Sequence, residues 1–239
     1  MTKPIILSVL FFIITSISSF GEWISKNKDE VSGLYTGEYV LVNLLDPFDP
    51  TSNDFYSFRP NANLSGKYIR NWGNELKSFD LRGANFINTN LELTNLTLSD
   101  LSGANLTGAS IAGTNFSQTN LNNANFSETD FRFVKSFNGA DLRGVNFTGA
   151  NLSNLSFEGF DLTGVNLTNT NLENTILRGV NLSSSNLSGL NLDSFNISNV
   201  NFENAVLEGV TITNNTSIDG AIFKSVSFKG ADLSNLDLS

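Results

Sequence analysis

Between Phe79 and Leu238 an apolar side chain returns at every fifth position, and the residues around it keep the same character. Leu81, Phe86, Leu91, Leu96, Leu101 and Leu106 begin a series that continues through Ile111, Phe116, Leu121 and Phe126 to Phe131. It resumes one residue late at Phe137, runs in step to Ile212, slips by one residue again to Ile218, and ends with Phe223, Phe228, Leu233 and Leu238. A small residue stands two places before most centres and Asn or Asp one place before, while Ser, Thr, Gly, Arg or Glu mostly follows. A spacing of five matches neither the 3.6-residue period of a helix nor the 2.0 of a strand, so no single long element can bury these side chains together. The chain must turn a corner between units. Units of fixed period stack as a solenoid, each burying its apolar side against its neighbours.

The cleanest copies are Gly83-Ala84-Asn85-Phe86, Gly103-Ala104-Asn105-Leu106, Gly149-Ala150-Asn151-Leu152 and Gly230-Ala231-Asp232-Leu233. Written as Ala, then Asp or Asn, then Leu, then two variable residues, this unit resembles the pentapeptide-repeat family over most of the chain. The resemblance implies an all-β fold, a right-handed quadrilateral parallel β-helix with four units per coil. The centre and the small residue two places before it then face inward.

With four units per coil, every twentieth residue stacks and each centre falls on one of four faces. These are A (Leu81, Leu101, Leu121), B (Phe86, Leu106, Phe126), C (Leu91, Ile111, Phe131) and D (Leu96, Phe116, Phe137). Both slips fall in the passage from C to D, so both extra residues are expected as bulges at one corner, with the stacking intact. Pro4, Pro47, Pro50 and Pro60 all precede the repeats, as a ladder that needs its backbone N–H groups requires.

Residues 1–21 read as a signal peptide: Lys3 gives a positive start, Ile5 to Ile14 an apolar run, and Thr15 to Gly21 a small, polar stretch with cleavage after Ser18 or Gly21. The run is shorter than the roughly 20 residues of a spanning helix, so membrane contact is expected only through this segment, if it stays uncleaved. Residues 22–78 are expected to form a small N-terminal cap or linker region. It holds a β-like stretch from Gly33 to Val42, a turn-rich stretch from Asp46 to Asp54, and an isolated, out-of-phase repeat at Ala62-Asn63-Leu64-Ser65-Gly66. Tyr68, Ile69 and Trp72 suit one side of a short helix leading to Leu76, a degenerate centre on face D. Residues 79–239 are expected to form the β-helix that the resemblance implies.

The chain has no Cys, which removes disulfides, thiolate ligands and thiol nucleophiles, and no His, which removes a Ser/His triad and a His-based zinc site. The expectation is a protein without catalysis, cofactor or metal. A net charge of −9 disfavours direct nucleic-acid binding, which calls for a basic stripe.

Stacking turns sequence into surface columns. On face A the residue before the centre runs Asp80, Asp100, Asn120, Asp141, Asp161, Asn181, Asn201; on face B it runs Asn85, Asn105, Asn125, Asn146, Asn166, Asn186. Thr107, Ser127, Thr148, Thr168 and Ser188 follow the face B centres. Asn and Asp at these places serve turns by bonding to nearby backbone, and stacked Asn side chains form ladders. As partner-contact columns, Asp80, Asp100, Asp141 and Asp161 would form an acidic stripe for a basic protein or cations. Asn105, Asn125, Asn146 and Asn166, with Thr148 and Thr168, would form a neutral platform for a carbohydrate, a protein or ordered water.

The expected function is an exported, non-catalytic structural or protein-interaction module with an unknown protein or cell-envelope partner. One alternative comes from the family resemblance, which includes DNA mimics that inhibit topoisomerases; the Asp column suits it and the export segment opposes it. Another is a carboxylate-pair glycoside hydrolase, with Asp80 and Asp100, or Asp141 and Asp161, near the roughly 5 Å separation of a retaining enzyme. A convex, wet face offers no pocket for that chemistry. Asn-x-Ser/Thr recurs on neighbouring rungs, where glycans would crowd, which favours bacterial-type export: periplasm or extracellular space, or the thylakoid lumen in a cyanobacterium. The inward-type residues of the last coil predict a homodimer formed end to end through it.

Overall fold

A computed structural model describes residues 40–42, 55–57, 59–67, 69 and 76–236. The signal-like segment, the short helix expected around Trp72, and Leu238 lie outside the described residues. Ahead of the repeats, β1 (Val40–Val42) and β2 (Phe55–Ser57) pair antiparallel, with Leu41 opposite Tyr56. β1 closes the β-like stretch, and the turn-rich stretch lies in the connection.

Each repeat unit ends in a tight turn. Outside the two slips, the carbonyl of the centre accepts the N–H three residues on, as in Ala104 to Leu101 at 2.9 Å, and the second residue after the centre has positive φ. This is what a type II turn demands, and it explains why Gly, Asn and Ser crowd that position. Gly103 takes it at φ 66° without strain, whereas Leu93 and Leu98 occupy it at φ 60° and 64°.

Between turns, one residue per unit pairs with the equivalent residue of the next coil, in parallel and twenty residues away, as in Asn85 with Asn105 and Asn105 with Asn125. Asn90 with Ser110, Asn95 with Asn115 and Asp100 with Asn120 do the same on the other sides, so each coil is four-sided. Two bonds make each contact: Leu106 N–H donates to the Asn125 carbonyl at 2.7 Å, and Asn125 N–H to that of Ala104 at 2.9 Å. The slips leave the columns aligned, since Asn120 pairs with Asp141 and Asn201 with Ile222.

The stack also begins earlier than the period implies. The repeat copy at Ala62 to Gly66 is not isolated: Asn63 pairs with Asn85, and Leu64 and Ile69 donate to the carbonyls of Asn85 and Asn90. Leu64, Ile69 and Leu76 are therefore face B, C and D centres of a first coil, all buried. The copy looks out of phase because two extra residues separate Ile69 from Leu76, again in the passage from C to D.

Centres fill the interior, with Leu106 fully buried and Leu167 1% exposed. Phe126 lies edge-on to Phe116 and Phe131, at centroid distances of 5.7 and 5.0 Å. Two before most centres stands Ala or Val, or Thr or Ser whose hydroxyl finds a backbone acceptor inside; Phe79, Leu155, Phe160, Leu190 and Phe195 are larger exceptions. Thr114, Thr119 and Thr129 donate to the carbonyls of Leu91, Leu96 and Leu106 at 2.7, 2.9 and 3.0 Å.

Candidate functional site

The outward position before most centres carries Asn or Asp for a local reason. Its side-chain oxygen accepts the N–H two residues on, closing an Asx turn around the centre. Asn105 accepts the Thr107 N–H at 3.1 Å and the Thr107 hydroxyl at 2.7 Å; Asn146 and Asn166 hold Thr148 and Thr168 in the same way. Bonds then run along the face: Asn125 Nδ2 to Thr107 Oγ1 and Asn146 Nδ2 to Asn125 Oδ1, each at 3.0 Å. Thr107 meets Ser127 at 3.1 Å and Thr148 meets Thr168 at 3.3 Å, so face B is a half-buried ladder of fixed amides and hydroxyls.

Face A is less acidic than its Asp residues suggest. Asp80 is not a surface group at all: it is 1% exposed and held by Arg82, whose Nε and Nη2 donate to its two oxygens at 2.8 and 2.7 Å. Arg143 grips Asp141 likewise, at 2.8 and 2.6 Å. Asp161 accepts from the N–H and hydroxyl of Thr163 and from Asn181 Nδ2, and Asp100 accepts the Ser102 N–H. A third pair, Arg132 with Asp130 at 2.7 Å on face C, was not anticipated, and Arg132 also lies 5.3 Å over the Phe133 ring. The signal was in the sequence as a triplet: Asp, centre, Arg recurs at Asp80-Leu81-Arg82, Asp130-Phe131-Arg132 and Asp141-Leu142-Arg143.

These contacts decide what the carboxylates can do. The Arg143 hydrogen bonds hold the Asp141 carboxyl below its usual range, against the opposing effect of partial burial, and Arg132 does the same for Asp130. A general acid needs its carboxyl raised, so Asp141 is moved in the wrong direction for glycoside hydrolysis. Asp80 and Asp100 do pair on adjacent rungs. Asp141 pairs with Asn120 and Asp161 with Asn181, and no bridge joins Asp141 to Asp161 among the described residues. Nor do these residues contain a group of three or more His, Cys, Asp or Glu able to hold a metal ion.

Family models described as "Pentapeptide repeat region" and "Pentapeptide repeats (8 copies)" match residues 133–212 and residues 80–111, 99–135 and 109–149. Among solved structures, HetL, a pentapeptide repeat protein involved in heterocyst differentiation regulation in the cyanobacterium Nostoc sp., is 26% identical, covering 76% of this chain and 74% of its own, with a TM-score of 0.27. QnrB1, a plasmid-mediated fluoroquinolone resistance protein, is 16% identical over 72% of this chain and 76% of its own, with a TM-score of 0.39. A pentapeptide repeat protein from the Arabidopsis thaliana thylakoid lumen is 23% identical over 66% and 62%, with a TM-score of 0.12. No curated protein matches the chain. The matched segments together run from residue 80 to residue 212, more than half of the 239 residues, and the chain belongs to the pentapeptide-repeat family.

Proposed function

We propose that this protein is an exported, non-catalytic rod, a right-handed β-helix of about eight coils and roughly 40 Å at the spacing of paired strands, whose fixed side-chain columns dock a protein or cell-envelope partner. The observation that carries the reading is the engagement of the outward polar groups in turns, ladders and Arg pairs, which supports presentation of a rigid surface over chemistry. Preorganised side chains lose little freedom on binding, so such a surface is well suited to recognition.

Export rests on residues 1–21. The ladder supports a compartment without N-glycosylation, because the Asx turns place the Asn-x-Ser/Thr amides of neighbouring rungs side by side on the folded face. Cell fractionation with N-terminal sequencing is the test. The mature protein is expected outside the cytoplasm, beginning after Ser18 or Gly21; uncut protein retained in the cytoplasm contradicts export.

End-to-end homodimerisation belongs to the same reading. Phe223, Phe228 and Leu233 of the last described coil are only partly buried. Their N–H groups meet no backbone carbonyl among the described residues. Sedimentation at increasing concentration is expected to show a dimer that Phe228→Glu converts to monomer. A wild-type monomer throughout the range rejects the pairing.

A further inference from the structure

Face B is set apart by charge. From Asn85 to Ser188, no charged residue flanks any face B centre, in a chain of net charge −9. The other faces carry Asp141 and Arg143 (A), Asp130 and Arg132 (C), and Glu158 and Arg178 (D) in these positions; Glu128 stands at the corner beside face B. From Asn105 to Ser188 the two face B columns, Asn before the centre and Thr or Ser after it, run roughly 6.6 Å apart and repeat about every 4.8 Å along the rod, the spacings of a strand and of paired strands. Internal bonds fix their orientation.

A neutral, periodic, rigid surface fits a neutral, periodic ligand. A polysaccharide would have to displace water using hydrogen bonds alone, an exchange with little net gain, because face B has no aromatic residue beside its centres on which a sugar ring could stack. Water itself faces no such competition. Groups held in a repeating array place bound waters in a repeating array, and ordered water at a polar surface costs little.

We propose that face B binds crystalline water, with the columns centred on Asn105, Asn125, Asn146 and Asn166 seating the surface of an ice crystal along the rod. This goes beyond the partner-docking reading, which stands or falls separately.

The test is to cool the purified full chain beside a single ice crystal and read the gap between melting and freezing temperatures, together with crystal shape. Wild type is expected to open a gap and facet the crystal, as is Thr163→Lys on face A. Thr148→Lys/Thr168→Lys is expected to lose both effects while staying folded at the assay temperature, as read by circular dichroism. The same column already holds Glu208 and Lys229 in later coils, so charge there is compatible with the fold. Ser127→Lys serves the same purpose if the double variant does not fold. No gap with folded wild type, a gap that survives the face B substitutions, or adsorption to an insoluble neutral glucan in place of a gap overturns the proposal.

Discussion

At the residue scale, each unit settles a conflict between burying a side chain and turning a corner every five residues. The outward Asn or Asp closes the turn, the centre fills the tube, and the small residue leaves room for both. Where that residue is Thr, its hydroxyl satisfies an inward carbonyl, as Thr119 does for Leu96. Thr119→Val keeps the shape and loses the bond, so it is expected to destabilise by about 1 kcal/mol, read from the midpoint of urea unfolding. The opposite sign is expected at Leu98, which holds a left-handed conformation with its side chain 41% exposed. Relief of that strain outweighs the extra flexibility of glycine, and Leu98→Gly should raise stability by about 0.5–1 kcal/mol. Residue roles were legible wherever the period held. The burial of Asp80, 1% exposed, is not legible in this way, since its place in the column points outward.

At the scale of the coil, the recurring extra residues teach the most. Two slips at the passage from C to D were visible in the spacing of centres, and the third was hidden because Leu64 and Ile69 sit two residues out of step with the main array. Register reading assumes a fixed count, whereas the ladder needs only that paired backbone groups meet; one corner absorbs the surplus. The Arg pairs also belong to this scale, each spanning one centre. Asp130 and Asp141 have folded values below their unfolded ones, so their contribution is complete above the ordinary carboxylate range, near about 4, and fades as pH falls through the folded values. Acid unfolding of Arg143→Gln is therefore expected to show a weaker loss of stability below that range than wild type. Both partners are partly solvent-exposed, so the difference should shrink in high salt.

For the whole molecule, a solenoid followed from the period, whereas its four sides and expected right hand came from the family resemblance. The functional surface was less legible: columns can be listed from spacing, but which carboxylates are neutralised and which amides close on themselves depends on rotamers. Everything said of columns rests on one geometric statement, that residues twenty apart are neighbours on one face. Because the chain has no Cys, an engineered pair tests it directly. The hydroxyls of Thr148 and Thr168 lie 3.3 Å apart across adjacent rungs, so Thr148→Cys/Thr168→Cys should form an intramolecular disulfide in the folded protein under mild oxidation. Thr148→Cys/Thr163→Cys, which joins faces B and A, should not. A cross-link that forms in the second pair and fails in the first would contradict the stack.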